Sequence, residues 1–239
     1  VETYNAYNAE PMVVIMAKAR LNAYLDAKGA ELPLDEYKQG EKVVPYRVIA
    51  EYTGAELVGI KYQQLFPWVK PIDLVNGKAV VNENGFRVIP GDYVTTEDGT
   101  GIVHIAPTFG ADDAKVARAA GVPGLQVVDK NGDLQAQVDL RGRFFCVEDL
   151  DPEYAAANMA PEYAEWAGRY VKNAYDATLD ADAPTLDVDI CVMLKQQNKA
   201  FKIEKHTHNY PHCWRTDKPV LYYPLNSWFI KTTEVRERM

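Results

Sequence analysis

Residues 91–121 read GDYVTTEDGTGIVHIAPTFGADDAKVARAAG, and this stretch limits the possible folds more than any other. Residues 92–96 and 101–106 have strand composition around the Glu97, Asp98, Gly99 turn, and residues 111–120 then have the alanine content of a helix. Asp112 and Asp113 stand in the first turn of that helix and Gly121 at its end, the start and stop signals a helix needs. A chain that passes from strand through a glycine turn to strand and then helix within thirty residues predicts an α+β domain, with a pocket where the elements meet. Gly99 and Gly101 let a backbone approach closely there, and His104 and Asp113 flank the strand-to-helix passage.

The flanking residues extend this pattern. Residues 11–16 predict a buried strand, and residues 17–25 a short helix ending near Gly29. Residues 43–52 and 57–62 predict strands on either side of a Thr53, Gly54 turn. Residues 78–81 and 86–89 predict a hairpin across Asn82, Glu83, Asn84 and Gly85. Val127 and Val128 predict a strand before the Asn131, Gly132 turn. Residues 161–174, with Trp166, Tyr170 and Ala174 at helical spacing, and residues 188–194 predict helices. From Phe201 the chain is aromatic and extended in character, interrupted by Pro211, Pro219 and Pro224. The dense β region in the middle implies a β-barrel-like core with peripheral helices.

Composition excludes several classes of function. Ser227 is the only serine and lies outside any Gly-x-Ser-x-Gly elbow. No phosphate-loop or dinucleotide fingerprint is present, so the sequence carries no nucleotide-cofactor motif. No apolar run reaches the roughly 18–20 residues that span a bilayer. The three cysteines, Cys146, Cys191 and Cys213, are an odd number far apart, which points to a reducing compartment. His206, His208, His212 and Cys213 supply four zinc-ligand types within eight residues, but not at finger spacing. Neighbouring His212 and Cys213 would point to opposite sides of an extended strand, so no metal is expected.

The net charge of −8 opposes broad contact with phosphates. Locally the balance reverses: Lys195, Lys199, Lys202, Lys205, Arg215 and Lys218 face only Glu204 and Asp217 within residues 195–218. Asp113 is chemically suited to hold an ammonium group, while helix capping is the plainer use of both Asp113 and Asp112.

The motif DGTGIVHIAPTFGADD closely resembles the hallmark of the editing domain inserted in the isoleucyl-, valyl- and leucyl-tRNA synthetases. Further matches are EYTGAEL and GIKYQQLFP upstream and YPHCWRTDKPVLYY and SWFIKTT downstream, so the likeness runs over nearly the whole chain. His104 stands where the isoleucyl branch has His, valyl enzymes Lys and leucyl enzymes an apolar residue. Phe109 and Gly110 stand where the other two branches carry His-Asp, which again favours the isoleucyl branch, in its editing (connective peptide 1) domain.

This resemblance implies the synthetase editing-domain fold, with residues 1–209 as editing domain and residues 210–239 as a return segment toward the catalytic core. It implies hydrolysis of valine misattached to tRNA(Ile). Asp113 would anchor the α-ammonium and His104 would wall the side-chain pocket. Gly99, Thr100, Gly101, Ile102, Phe109 and Asp112 would contact substrate. The implied partners are the aminoacylated 3′ end of tRNA(Ile) and the rest of the synthetase, with no membrane and a cytoplasmic location. The domain itself would need no cofactor, whereas ATP and Mg belong to the full-length synthetase. A non-catalytic tRNA-binding module and a valyl-type deacylase acting on threonyl-tRNA are the alternatives.

Two departures stand out. The threonine-rich peptide of the family is missing, and Thr95 and Thr96 do not replace it. Thr216 stands where some relatives have a second zinc cysteine. Together with Val1 in place of Met and the absence of both synthetic signatures, these features lead to the expectation of an excised piece, a weak or inactive hydrolase by itself.

Overall fold

The computed structural model describes residues 1–180, 183–205, 207–225, 227–234 and 236. Asn76 and Gly77 have φ of +52° and +76°, the mirror-image turn geometry that matches the twist of a tight hairpin. They join β3 (Ile72–Val75) to β4 (Lys78–Val81), with Val75 opposite Lys78. The sequence expectation paired residues 78–81 with 86–89 instead. The Asn-Gly step just before residue 78 was the stronger turn signal, and it takes the strand first. Arg87 instead forms an isolated bridge with Lys61.

Two other antiparallel pairs are present. β1 (Glu2–Tyr4) pairs with β2 (Pro11–Val13), and β5 (Gln126–Val128) pairs with β6 (Leu134–Ala136). The second pair follows the expected Asn131, Gly132 turn, where Asp129 Oδ1 accepts from the N–H groups of Asn131 and Asp133, both at 2.9 Å. The fold is mixed α/β, as expected. Among the described residues the strands form three separate two-stranded sheets and no closed barrel. Strands of three or four residues are too short to carry a continuous ladder around a barrel.

The helices are α1 (Leu21–Tyr24), α2 (Gly54–Leu57), α3 (Ala111–Ala120), α4 (Pro152–Asn158) and α5 (Leu186–Gln196). α3 and α5 lie where the sequence puts them. α4 was not anticipated, although Asp151 caps it by accepting from Tyr154 N–H at 2.7 Å, with Pro152 at its first position. Val69, Ile72, Val127, Val128, Leu150, Tyr154 and Tyr163 make the main core, joining β3, β5 and α4.

Several expected elements take other forms. Residues 11–16 shorten to β2, and Val13 and Ile15 are exposed rather than buried. Of residues 43–52, only Arg47 bridges a neighbour, Glu2, so no ladder forms. Thr53 opens α2 rather than a turn: the Glu56 carboxylate accepts from its N–H and its hydroxyl, at 2.6 and 2.8 Å. This is a capping box, and it converts Leu57 from strand to helix. Residues 92–96 and 101–106 pair with no strand. Residues 161–174 make no α-helix: Pro161–Glu165 is a 3-10 turn, Gly168 (φ +75°) breaks the path, and a second 3-10 turn, Asn173–Tyr175, begins at the end. Among the described residues the tail from residue 201 is largely irregular, with a bridge between His212 and Pro219 and a 3-10 turn at Thr232–Glu234, and Trp228, Phe229 and Ile230 are almost fully exposed.

Candidate functional site

The first turn of α3 organises the candidate site. Gly110 is its N-cap, and the Asp113 carboxylate reaches back to accept from the Ala106 N–H at 2.9 Å. A Cβ at Gly110 would meet Asp113 Oδ2 at 2.9 Å, so a side chain there would press on the carboxylate that Ala106 holds. Phe109 N–H donates to the Ala106 carbonyl at 3.1 Å, and the Thr108 hydroxyl donates to Leu125 O at 3.2 Å. The loop over residues 106–110 is thereby tied at three points, and the half-buried Asp113 is the central one. Asp112 faces solvent.

Tyr93 is half-exposed, and partial burial and secondarily the charge of Asp113 hold its phenol above the ordinary value. Sequence reasoning missed Tyr93, because no local pattern couples positions twenty residues apart.

The glycine turn is held from another direction. Arg20 donates from Nε to Gly99 O at 2.9 Å and from Nη1 to Glu97 O at 3.0 Å. Ala17 N–H donates to Thr100 O at 2.8 Å. Gly101 (φ +77°) would place a Cβ 2.4 Å from that of Ala17, while a Cβ on Gly99 would meet nothing within 4 Å. The close approach expected at Gly101 is thus to the protein's own Ala17, and only Gly99 keeps open space. Ile102 is half-exposed and His104 exposed on the unpaired segment that follows.

Phe109 belongs to a different environment. It packs edge-on against Tyr223 at 6.4 Å and lines a cavity of about 280 Å³ with Val138, Phe144, Val171, Tyr210, Leu221 and Tyr222. The tail from residue 210 therefore supplies part of an apolar wall behind the loop that Asp113 ties down.

Among the described residues no group of three or more His, Cys, Asp or Glu could hold a metal ion. His206 of the zinc-like set lies outside the described residues. His212 Nδ1 contacts Tyr210 O at 2.9 Å. The Cys213 thiol is held below its ordinary value by hydrogen bonds from the Thr216 hydroxyl and the N–H groups of Arg215 and Thr216. All three cysteines are free thiols. Among the described residues no helix is long and apolar enough to cross a membrane.

Comparison with known proteins finds relatives that carry one name. The whole chain is 59% identical over 240 residues to the isoleucine–tRNA ligase of Bacteroides fragilis, and covers 20% of that protein. The chain matches a fragment of isoleucine–tRNA ligase. A relative of the same name from Porphyromonas gingivalis is 55% identical over 242 residues, again across all of this chain and 20% of its own length. The Clostridium acetobutylicum isoleucine–tRNA ligase is 35% identical over 194 residues, covering 81% of this chain and 14% of the relative. No protein-family model matches the chain. The chain thus spans about a fifth of the length of the curated relatives it matches. The isoleucyl assignment made from His104 and the DGTGIVHIAPTFGADD motif agrees with the isoleucine–tRNA ligase name carried by these relatives.

Proposed function

We propose that this chain is the editing domain of an isoleucine–tRNA ligase, hydrolysing the ester that joins valine to tRNA(Ile). The observation that carries the proposal is the Asp113 carboxylate, held in the first turn of α3 against the Ala106 N–H, in a chain matched over its full length to that ligase. The physical need is clear. One methylene in an apolar pocket is worth only about 1–3 kcal/mol, a magnitude for which the isoleucine enzyme is itself the standard illustration. A second, hydrolytic selection has to supply the rest.

In this reading Asp113 binds the α-ammonium of the misattached valine through its carboxylate. Its bond to Ala106 fixes the direction in which it does so, and the Tyr93 phenol, kept neutral, adds no competing charge. His104 walls the side-chain pocket so that isoleucine is refused. Gly99, Thr100, Gly101 and Ile102 position the water by their backbone groups. Water adds to the ester carbonyl, the acyl–oxygen bond breaks, and the ribose hydroxyl leaves with a proton. The assigned contributions are orientation and charge placement, with no cofactor in this domain. ATP and Mg serve amino-acid activation elsewhere in the ligase. The editing-domain fold, the division at residue 209 and the tRNA 3′ end as partner belong to the same proposal.

The test is deacylation of valyl- and isoleucyl-tRNA(Ile) by this chain, and by this chain with the threonine-rich peptide restored. Cleavage of valyl-tRNA alone, reduced about 10²-fold or more by Asp113→Ala and extended to isoleucyl-tRNA by His104→Ala, is the expected result. Equal rates in the parent and both variants would remove the assignment.

A further inference from the structure

Arg20 links the glycine turn to an aromatic ring. While its guanidinium donates to Gly99 O and Glu97 O, its Cζ lies 6.0 Å from the centre of the Tyr24 ring. The Lys202 ammonium sits 5.0 Å from the centre of that same ring, and Phe201 packs beside it at 6.2 Å. Further along, the Lys195 ammonium stands 4.8 Å from the centre of the Tyr7 ring. Tyr7 in turn accepts the Ile203 N–H on its hydroxyl at 2.7 Å. Cations and rings therefore alternate from the glycine turn across residues 195–205.

Neutral contacts set this register. The buried Asn5 side chain donates to Asn198 Oδ1 at 2.8 Å and to Ala200 O at 2.9 Å, and Asn8 donates to Asn198 Oδ1 at 3.1 Å. Tyr7 is thus clamped over α5 and the residues after it without help from the lysines. The lysines are exposed. Glu204 pairs with Lys202 at 2.9 Å where both side chains meet solvent. Such a pair exchanges readily for another anion.

We propose that Arg20, Tyr24, Lys202, Tyr7 and Lys195 form a track for an unpaired RNA strand that ends at the glycine turn. An unpaired strand alternates phosphates with bare base faces, as this surface alternates ammonium groups with rings. A phosphate that draws a lysine away from its tyrosine uncovers the ring for a base, so the two exchanges favour one another. A duplex hides its base faces and would meet only the charges. With a net charge of −8, the chain as a whole opposes phosphate, which favours this strip and the basic stretch that continues to Lys218. Arg20 is a positioning residue that joins the strip to residues 97–99. The proposal rests on the editing reading only for its direction, with the acylated 3′ end arriving at residues 99–102.

The experiment is anisotropy titration of this chain with a labelled RNA octamer ending in CCA, across a salt series, with thermal melts as the check on folding. Lys195→Gln with Lys202→Gln is expected to weaken binding about tenfold at low salt and to reduce the salt slope by about 1.4. Tyr24→Leu is expected to weaken it by about fivefold or more. A matching RNA duplex and a poly-glutamate peptide are expected to compete poorly. An unchanged affinity and slope in the double lysine variant overturns the proposal, as does duplex or peptide competing as well as the single strand. Binding is read without any ester. Binding through these residues with neither ester cleaved, even with the threonine-rich peptide restored, defeats the editing reading alone. Cleavage of valyl-tRNA at unchanged KM in the double lysine variant defeats this track alone.

Discussion

Gly101 has a positive φ and also faces Ala17 at a distance that leaves no room for a methyl group. The two constraints act together, since any replacement strains the backbone and pushes the 17–20 segment from the turn it supports. Gly101→Ala is expected to lower stability by about 1–3 kcal/mol and to loosen the bonds from Arg20 and Ala17. A denaturant midpoint equal to the parent's would show that the turn is not held this way. Asp113 is a similar case of double use. Its bond to Ala106 means that Asp113→Ala also costs about 1 kcal/mol of stability, so its deacylation assay has to be run well below the melting temperature. At both positions the residue type was visible in the sequence, whereas its contact was not.

At the scale of elements, local chemistry won wherever it was strong. Asn76 and Gly77 set the β3–β4 hairpin, and Thr53 with Glu56 sets α2. A pair of glycines tests this. Gly77 has φ of +76° and Gly54 has an ordinary helical conformation, yet a Cβ at either meets nothing within 4 Å. Only backbone preference differs between them. Gly77→Ala is expected to destabilise by about 1 kcal/mol, and Gly54→Ala to stabilise by about 0.4–1 kcal/mol. Thermal unfolding of both variants measures this, and shifts of the same sign would contradict it. The Glu56 carboxylate is held below its ordinary range by the Thr53 backbone and hydroxyl donors. The box is therefore intact above the usual carboxylate range and weakens as pH falls through the lowered value.

For the whole molecule, the core between β3, β5 and α4 depends on two buried tyrosines. Tyr163 donates to Phe145 O at 2.8 Å and Tyr154 to Gln126 O at 3.1 Å. Burial raises both phenols well above the ordinary value. In the unfolded chain they release protons from about pH 10 upward, whereas the folded chain retains them, so stability falls as pH rises beyond that point. Tyr163→Phe is expected to cost about 1–3 kcal/mol at pH 7 by leaving a carbonyl unpaired. It should also flatten the alkaline loss. Denaturant midpoints between pH 7 and 11 test both, and a parent midpoint that does not fall above pH 10 would exclude this account.

Taken alone, the sequence determined the helix over residues 111–120, the turn at Asn131 and Gly132, the helix around residues 188–194 and the isoleucyl character of the 91–121 motif. Each depends on interactions closed within a few residues, or on side-chain identity alone. The tertiary structure decided that residues 43–52 form no ladder, because a strand exists only where a partner backbone lies beside it. It also decided that Arg20 reaches Gly99 across 79 residues and that Tyr24 lies beside Lys202. Contacts so distant along the chain leave no periodicity to read, because the intervening chain sets only the entropy of bringing their ends together.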